Sequence, residues 1–466
     1  MTTSHAPENP DNSDTSASQS VSDPVNLSAG NGTGHALLAR RASLIILGSV
    51  LDKKQPLDTV LEINPDFKSL DSRDRGFVRM LVTTTLRRLG EIDKRIRRAQ
   101  DRPDQSLQPV LKNILRLGMA QILFLNVPDH AAVDTSVQLA EKQGLAKFKG
   151  LVNGILRNLI RHNEQWAEHI DPAGDNIPDW LLEMWENEYG QEAARTAALA
   201  CLAEPPLDMT VKSDDRIQDV ADKLGGTVLW NGTIRLQTGT GQIQNLDEYQ
   251  DGSWWVQDVS AALPVSLLGD ITGKDVIDLC AAPGGKTAQL AARGAHVQAL
   301  DRSARRLERF MDNMRRLRLE KNVLPVSADA SVWSPKDPVD IVLLDAPCSA
   351  TGTIRRNPDI LHLKSERDVY KMNGVQRTLM KNAASMLKSG GILIFCTCSI
   401  QKEEGEDQLD WFLSTDAPFR RVPIAPDEVG GQDYLLNDEG DIRILPHMMG
   451  EQGGMDGFFI ARLVRV

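Results

Sequence analysis

The stretch Asp275-Val276-Ile277-Asp278-Leu279-Cys280-Ala281-Ala282-Pro283-Gly284-Gly285-Lys286-Thr287 decides the fold of this chain. A short apolar run of strand length ends at Asp278-Leu279 and breaks into small residues, a proline and a glycine pair, with a helix-forming segment behind them. Small residues let a backbone approach a ligand closely, and proline with paired glycines fixes a tight turn before a helix. The loop has neither the GxGxxG spacing nor a Walker A pattern, so a bound pyrophosphate or triphosphate is not indicated.

Downstream, further apolar runs of strand length follow: HVQAL, VLPVS, DIVLL, ILIFC and FFIARLV. Helical segments such as SARRLERFMDNMRRL and VYKMNGVQRTLMKNAASMLK lie between most of them. This alternation predicts an α/β, Rossmann-like domain over residues 265–466, built on a parallel, doubly wound sheet with helices on both faces. Ligands of such sheets bind beyond the carboxyl ends of the strands. Asp278, Asp301 and Asp329 follow three successive strands in register. Asp301, 23 residues after Asp278, is placed to accept hydrogen bonds from ribose hydroxyls, and Asp329 to meet an adenine edge.

Upstream, residues 1–34 are rich in Ser, Thr, Asn, Gly and Asp and have no Lys or Arg, which predicts a disordered tail. Over 35–165, ALLARRASLIILGSVL, GFVRMLVTTTLRRL, PVLKNILRLGMAQILFL and KGLVNGILRNLIR place apolar residues at i, i+3, i+4 and i+7. That period describes an all-helical domain. Residues 166–264 read as a small α/β connector with strand-like pieces LDMTVKS and TIRLQ. In this connector Trp254 and Trp255 are expected to be interface core rather than base-stacking rings.

The net charge of −11 argues, taken alone, against a nucleic-acid partner. Between His35 and Gln165, however, 22 Lys and Arg face 14 Asp and Glu, a net of +8 that leaves about −19 on the remainder. Such asymmetry points towards RNA binding by the helical segment. A dense run of Arg302, Arg305, Arg306, Arg309, Arg315, Arg316 and Arg318 reads equally as a solvated helix or an RNA backbone track, which Lys286, Arg355 and Arg356 would extend. No run of 18 apolar residues occurs, and the polar, acidic start lacks an apolar signal region. No membrane partner is therefore expected. An odd count of five cysteines in a long chain without a secretion signal points to reduced thiols and a cytoplasmic location.

Two of those cysteines follow strands. DIVLL runs into Asp345-Ala346-Pro347-Cys348, and ILIFC runs into Thr397-Cys398-Ser399. In the usual strand order the fourth and fifth strands lie side by side next to the first, so both thiols would face the ligand crevice. Paired thiols suit one difficult reaction. Carbon 5 of cytosine is a poor nucleophile until a thiolate adds at carbon 6 and converts the ring to an enamine. Asp345 is placed to bond the amino group and ring nitrogen of such a base. Residue chemistry alone does not decide which thiol attacks. Cys201 and Cys396 read as buried small hydrophobes. No metal site is expected, because paired C-x2-C spacings and a fourth ligand are missing.

Taken together, DLCAAPGGKT, LDAPCSATG, CTCS and the closing DGFF resemble the Sun/Fmu (Nol/Nop/Sun) family of RNA 5-methylcytosine methyltransferases. The front segment resembles the NusB-like RNA-binding domain through Ala39-Arg40-Arg41-Ala42, Asp74-Arg75-Gly76-Phe77, Ile114-Leu115-Arg116-Leu117-Gly118, Pro128-Asp129-His130-Ala131-Ala132-Val133 and Lys149 to Asn158. The pairing of the two resembles the branch that acts on small-subunit ribosomal RNA. The resemblance implies a class I S-adenosyl-L-methionine-dependent fold with the methyl donor held by Cys280, Ala281, Ala282, Pro283, Gly284, Gly285, Lys286, Asp301, Asp329 and Asp345. It further implies Cys398 as nucleophile and Cys348 as the residue that assists product release. Cys396 departs from the pattern, which has a small residue at that place, and implies a local packing difference. Two other classes compete with this reading. A non-enzymatic NusB-like RNA-binding factor would have no use for Asp345, Cys348 and Cys398, and a methyltransferase acting on protein or a small molecule would need no thiol pair.

Overall fold

The computed structural model describes residues 1, 33–100, 106–237, 239 and 241–466. The expected disordered tail lies outside the described residues except at its two ends, and the first helix, Thr33–Leu51, begins within its last two positions. Eight α-helices from Thr33 to Ala167 then pack around a core that includes Ile46, Leu47, Leu81, Leu86, Ile114 and Leu156. The helix Ser72–Arg87 illustrates the local logic. Asp71 caps it by accepting the Asp74 N–H at 2.8 Å, and Val78, Leu81, Val82 and Thr85 recur at helical spacing on its buried face.

After three further helices, a four-stranded antiparallel sheet forms from β1 (Leu207–Val211), β2 (Thr227–Val228), β3 (Ile234–Leu236) and β4 (Trp254–Val256), in the order β2-β3-β1-β4. Trp254 and Trp255 lie on β4, and both are buried. Their indole N–H groups donate to the Asp247 carbonyl at 2.9 Å and to Gln257 Oε1 at 2.7 Å. Neither ring has a face left for a base.

The second sheet contains β5 (Asp275–Leu279), β6 (His296–Asp301), β7 (Val323–Ser327), β8 (Val339–Asp345), β9 (Leu387–Thr397), β10 (Phe419–Arg421), β11 (Ile442–Ile444) and β12 (Phe458–Arg465). Its order is β7-β6-β5-β8-β9-β12-β10, with β11 paired to β12. The five strands β5 to β9 are mutually parallel. The wholly parallel sheet expected from sequence is corrected at one end, where β10, β11 and β9 each pair antiparallel with β12. No α-helix spans β11 to β12, so the chain returns without the crossover that a parallel strand requires. Alternate residues feed two apolar layers, Val276 and Leu343 on one face, Ile277, Val342 and Leu344 on the other.

The helical domain is docked onto the second sheet's domain through the segment that follows β8. The Asp359 carboxylate accepts the Leu57 N–H at 2.9 Å, Arg87 donates to the Arg355 carbonyl at 2.9 Å, and Lys54 donates to the His362 carbonyl at 3.1 Å. Leu363 packs into the helical core. His362 Nε2 lies 2.7 Å from the Leu86 carbonyl. Burial pushes the His362 imidazole down from 6.5 to about 4, against the opposing pull of that carbonyl. The unfolded chain therefore binds a proton that the folded chain refuses between pH 6.5 and 4. Stability is full above that window and falls as pH falls through it, by at most about 3 kcal/mol. Melting temperatures measured between pH 7 and 4 are expected to fall more steeply for the wild-type chain than for His362→Gln; parallel curves would exclude His362 as the source.

Candidate functional site

The carboxyl ends of β5, β6, β8 and β9 converge on one crevice. At the end of β5 the backbone turns sharply. Cys280 takes a left-handed φ of 65° and Gly284 a φ of 107°. A Cβ on Gly284 would stand 2.5 Å from the Phe310 ring, so glycine is required there on both counts. The Ala281 N–H donates to the Leu300 carbonyl at 2.8 Å, which ties the loop to the end of β6, and the helix Gly285–Ala292 follows. Thr287 Oγ1 donates to Asp278 Oδ2 at 2.5 Å. The other oxygen of Asp278 is buried with no hydrogen-bond partner among the described residues. Burial pushes the Asp278 carboxyl up to about 7, with the Thr287 hydroxyl opposing it.

Asp301 ends β6 and is buried. Its Oδ1 accepts the Ser303 N–H at 2.9 Å, and its Oδ2 lies 3.1 Å from Arg306, which also donates to the Ala282 carbonyl. Asp329 stands apart. It follows β7 in an exposed turn, where one oxygen accepts both the N–H and the hydroxyl of Ser331 at 2.9 and 2.7 Å, and these bonds hold its carboxyl below the usual range.

At the end of β8, Asp345 Oδ2 accepts the Lys286 ammonium at 2.8 Å, and Cys396 Sγ lies 3.8 Å from Oδ1. The Lys286 side chain is 10% exposed. Burial pulls its pKa down, but the adjacent Asp345 charge more than offsets this, and the net shift is upward. Residue Asp345 of β8 is in register with Cys396 of β9, so the turns that carry Cys348 and Cys398 leave the sheet side by side, and their sulfurs lie 3.5 Å apart. The hydrogen bond to Cys398, and burial after it, push the Cys348 thiol well above its usual range. Burial pushes the Cys280 thiol up to about 12 and raises the fully buried Cys396 thiol as well, so both behave as packing groups.

Other sequence expectations change in the fold. Arg355, expected on an RNA track, is fully buried and donates to the Gly453 carbonyl at 2.5 Å. Lys286 is committed to Asp345. Within the arginine run, Arg305 and Arg309 both pair with Glu62 of the helical domain, Arg315 with Asp312, and Arg316 stacks on Tyr249 with its guanidinium 4.0 Å from the ring centre. Arg356 retains 41% side-chain exposure beside the crevice while it pairs with the buried Asp456.

Sequence reasoning missed two features of this site. The first is the tie between LDAPCSATG and the closing DGFF. Gly352 N–H donates to the Cys398 carbonyl at 3.0 Å, Gly457 N–H donates to the Gly352 carbonyl at 2.8 Å, and a Cβ on Gly352 would sit 1.9 Å from the Gly457 oxygen. The second is Glu404, hidden in the acidic run Glu403-Glu404-Gly405-Glu406-Asp407 that reads as solvated surface. It is fully buried, and its carboxylate accepts from Ser349 and Ser399. Among the described residues no cluster of three or more His, Cys, Asp or Glu is arranged to hold a metal, and no helix is long and apolar enough to cross a membrane.

Comparison with known proteins places this arrangement. A family model described as 16S rRNA methyltransferase RsmB/F matches residues 265–464, and one for the NusB family matches residues 38–161. The ribosomal RNA small subunit methyltransferase B of Serratia proteamaculans (strain 568) is 33% identical over 442 residues, which cover 92% of this chain and 98% of that protein. The crystal structure of PH0851 shares the fold over 93% of this chain and 100% of its own, with a TM-score of 0.71 at 23% identity. The structure of NSun6 from Pyrococcus horikoshii with SFG covers 62% of this chain and 98% of its own, with a TM-score of 0.52 at 19% identity. With a family model over the sheet domain, another over the helical front and a relative matched over nearly its whole length, the chain belongs to the RsmB/F family of 16S rRNA methyltransferases.

Proposed function

We propose that this RNA methyltransferase transfers a methyl group to carbon 5 of a cytosine in small-subunit ribosomal RNA, through a transient bond between Cys398 and the base. The observation that carries this reading is the pair of thiols 3.5 Å apart beside Asp345, at the ends of neighbouring parallel strands. An enzyme that methylates a nucleophilic nitrogen or oxygen has no use for either thiol.

The residues around the donor loop fit S-adenosyl-L-methionine. One buried oxygen of Asp278 has no hydrogen-bond partner among the described residues, the glycine turn admits close approach, and Asp301 ends β6 where a ribose would lie. Cys280 to Lys286 would line one side of the donor, Asp301 would hold the ribose hydroxyls, and Asp329 offers its second oxygen at the rim. When bound, the donor supplies an electrophilic methyl group.

The chain's own groups do the rest. The Cys398 thiolate adds to carbon 6, the ring electrons move towards carbon 5 and the ring nitrogen, and Asp345 supports protonation there. Carbon 5 then attacks the methyl carbon as the methyl–sulfonium bond breaks, leaving the donor as its neutral thioether. Loss of the carbon 5 proton to a base restores the ring double bond as the Cys398–carbon 6 bond breaks, and the sulfur leaves as thiolate. Cys348 assists this release. The bond to Cys398 and burial push the Cys348 thiol well above its usual range, which fits Cys348 in the protonated, assisting role. Lys286 balances the charge of Asp345 within the crevice.

With ribosomal RNA as substrate, Cys398→Ala is expected to neither methylate nor attach to RNA, whereas Cys348→Ala accumulates a denaturation-resistant RNA complex that requires the methyl donor. The trapped band appearing with Cys398→Ala instead would reverse the two roles, and activity without trapping in both variants would end the covalent reading. Bisulfite mapping of small-subunit RNA from a deletion strain should show one or more 5-methylcytosines lost. Asp301→Ala is expected to weaken donor binding by about 1–3 kcal/mol with RNA affinity kept, read by calorimetry; wild-type donor affinity would remove Asp301 from the site.

A further inference from the structure

The β8–β9 ladder does not reach the two thiols. Its last bond, from the Ala346 N–H to the Cys396 carbonyl at 2.9 Å, lies two residues short of each cysteine. Beyond it the two turns are joined by the Gly352 N–H to the Cys398 carbonyl at 3.0 Å and by a contact of 3.2 Å between the Ser349 and Ser399 hydroxyls, so the sulfur spacing depends also on what holds those two serines. Glu404 occupies that place. Its Oε1 accepts the Ser349 N–H at 2.8 Å, and its Oε2 accepts the hydroxyls of Ser349 and Ser399 at 2.5 and 2.6 Å. Ser349 directly follows Cys348, and Ser399 directly follows Cys398. One side chain therefore spans both cysteine turns.

The surroundings show that this carboxylate does not belong to a generic ion pair. Glu404 is 0% exposed and enters no salt bridge among the described residues; its partners are three neutral donors. Burial pushes its carboxyl up, and the bonds from Ser349 and Ser399 oppose that shift. A buried carboxylate without a cation is a costly way to fill space, and an apolar residue would do it more cheaply. What the carboxylate adds is direction. It joins two separate turns through short, aligned hydrogen bonds. Further bonds stiffen the same assembly: Arg443 donates to the Ser399 carbonyl at 2.7 Å, and the Ile400 N–H donates to Thr351 Oγ1 at 3.2 Å.

We infer that Glu404 is the positioning residue of this site, a buried brace that sets the distance between the Cys348 and Cys398 turns and thereby the rate of the covalent step. It touches neither sulfur and no reacting atom, and it acts through Ser349 and Ser399. The inference rests on the covalent reading proposed above.

The test uses the full chain with Glu404→Ala and Glu404→Gln, after wild type has been shown to methylate cytosine and Cys348→Ala to trap RNA. Absence of trapping there would sink the covalent reading before Glu404 is in question. Glu404→Ala is expected to lower kcat about 100-fold, the usual cost of misplacing reacting groups by an ångström. Donor Kd and RNA KM should stay within about threefold of wild type, because neither ligand touches Glu404. Glu404→Gln keeps an accepting oxygen and a group that can bridge the hydroxyls, and it should recover kcat to within about tenfold of wild type. Should Glu404→Ala not fold, Ser399→Ala takes its place, with an expected loss of about tenfold in kcat at unchanged donor affinity. Wild-type kcat in the Ala variants would overturn the inference. So would a loss of kcat that merely tracks lowered melting temperature and donor affinity, or a Gln variant no better than Ala.

Discussion

The parallel pairing of β8 with β9 is the constraint on which this site depends. Neighbouring strands lie about 4.8 Å apart, and parallel strands end at the same edge. With Asp345 opposite Cys396, the next few residues of both chains are delivered to one point of the crevice. The sulfurs meet at 3.5 Å two residues beyond that ladder, where the two turns are joined by further bonds. An antiparallel neighbour would have sent the second thiol to the opposite edge of the sheet. The antiparallel β12 is used differently. It pairs Ile460 with Cys396 on the far side of β9, and the Gly457 turn just before it closes against Gly352 under the cysteine turns.

The electrostatics of the crevice explain why several cysteines can coexist there without all being reactive. Burial raises Cys280 and Cys396, so neither supplies a thiolate at neutral pH. The bond to Cys398, and burial after it, raise the Cys348 thiol well above its usual range. The Lys286 ammonium is committed to Asp345 at 2.8 Å. The crevice thiols thus differ by burial and by one contact rather than by sequence position.

Much of this was legible in the sequence because it depends on local order. The strand ends at Asp278, Asp301 and Asp345, the small-residue loop and the two cysteine turns each follow an apolar run, and strand order in doubly wound sheets is regular enough to bring them together. The helical front was legible from its 3.6-residue period. What was not legible depends on long-range packing. Glu404 reads as one acid among several until the fold tucks it beneath Ser349 and Ser399. Arg355 and Arg356 look alike in sequence, yet one is sealed against Gly453 and the other stays 41% exposed. Asp329 shared its strand-end position with Asp278 and Asp301, but its turn is exposed and spends one oxygen on Ser331. The antiparallel edge escaped because apolar runs carry no direction.

The same packing changes what the charge asymmetry means. Formal charge counted along the chain gave the helical domain a net of +8. In the fold, Lys112 and Arg116 are held by Asp93, Arg88 and Arg95 by Glu91, and Arg87 by a carbonyl of the catalytic domain. Arg305 and Arg309 of the catalytic domain in turn reach back to Glu62. These basic side chains therefore serve as joinery, while the net of +8 stands, because Asp93, Glu91 and Glu62 are already among the 14 acids counted. The joinery has its own consequence. The docked segment Arg355–Leu363 begins only seven residues after Cys348 in the chain, so the helical domain is fastened to the turn that carries one of the thiols.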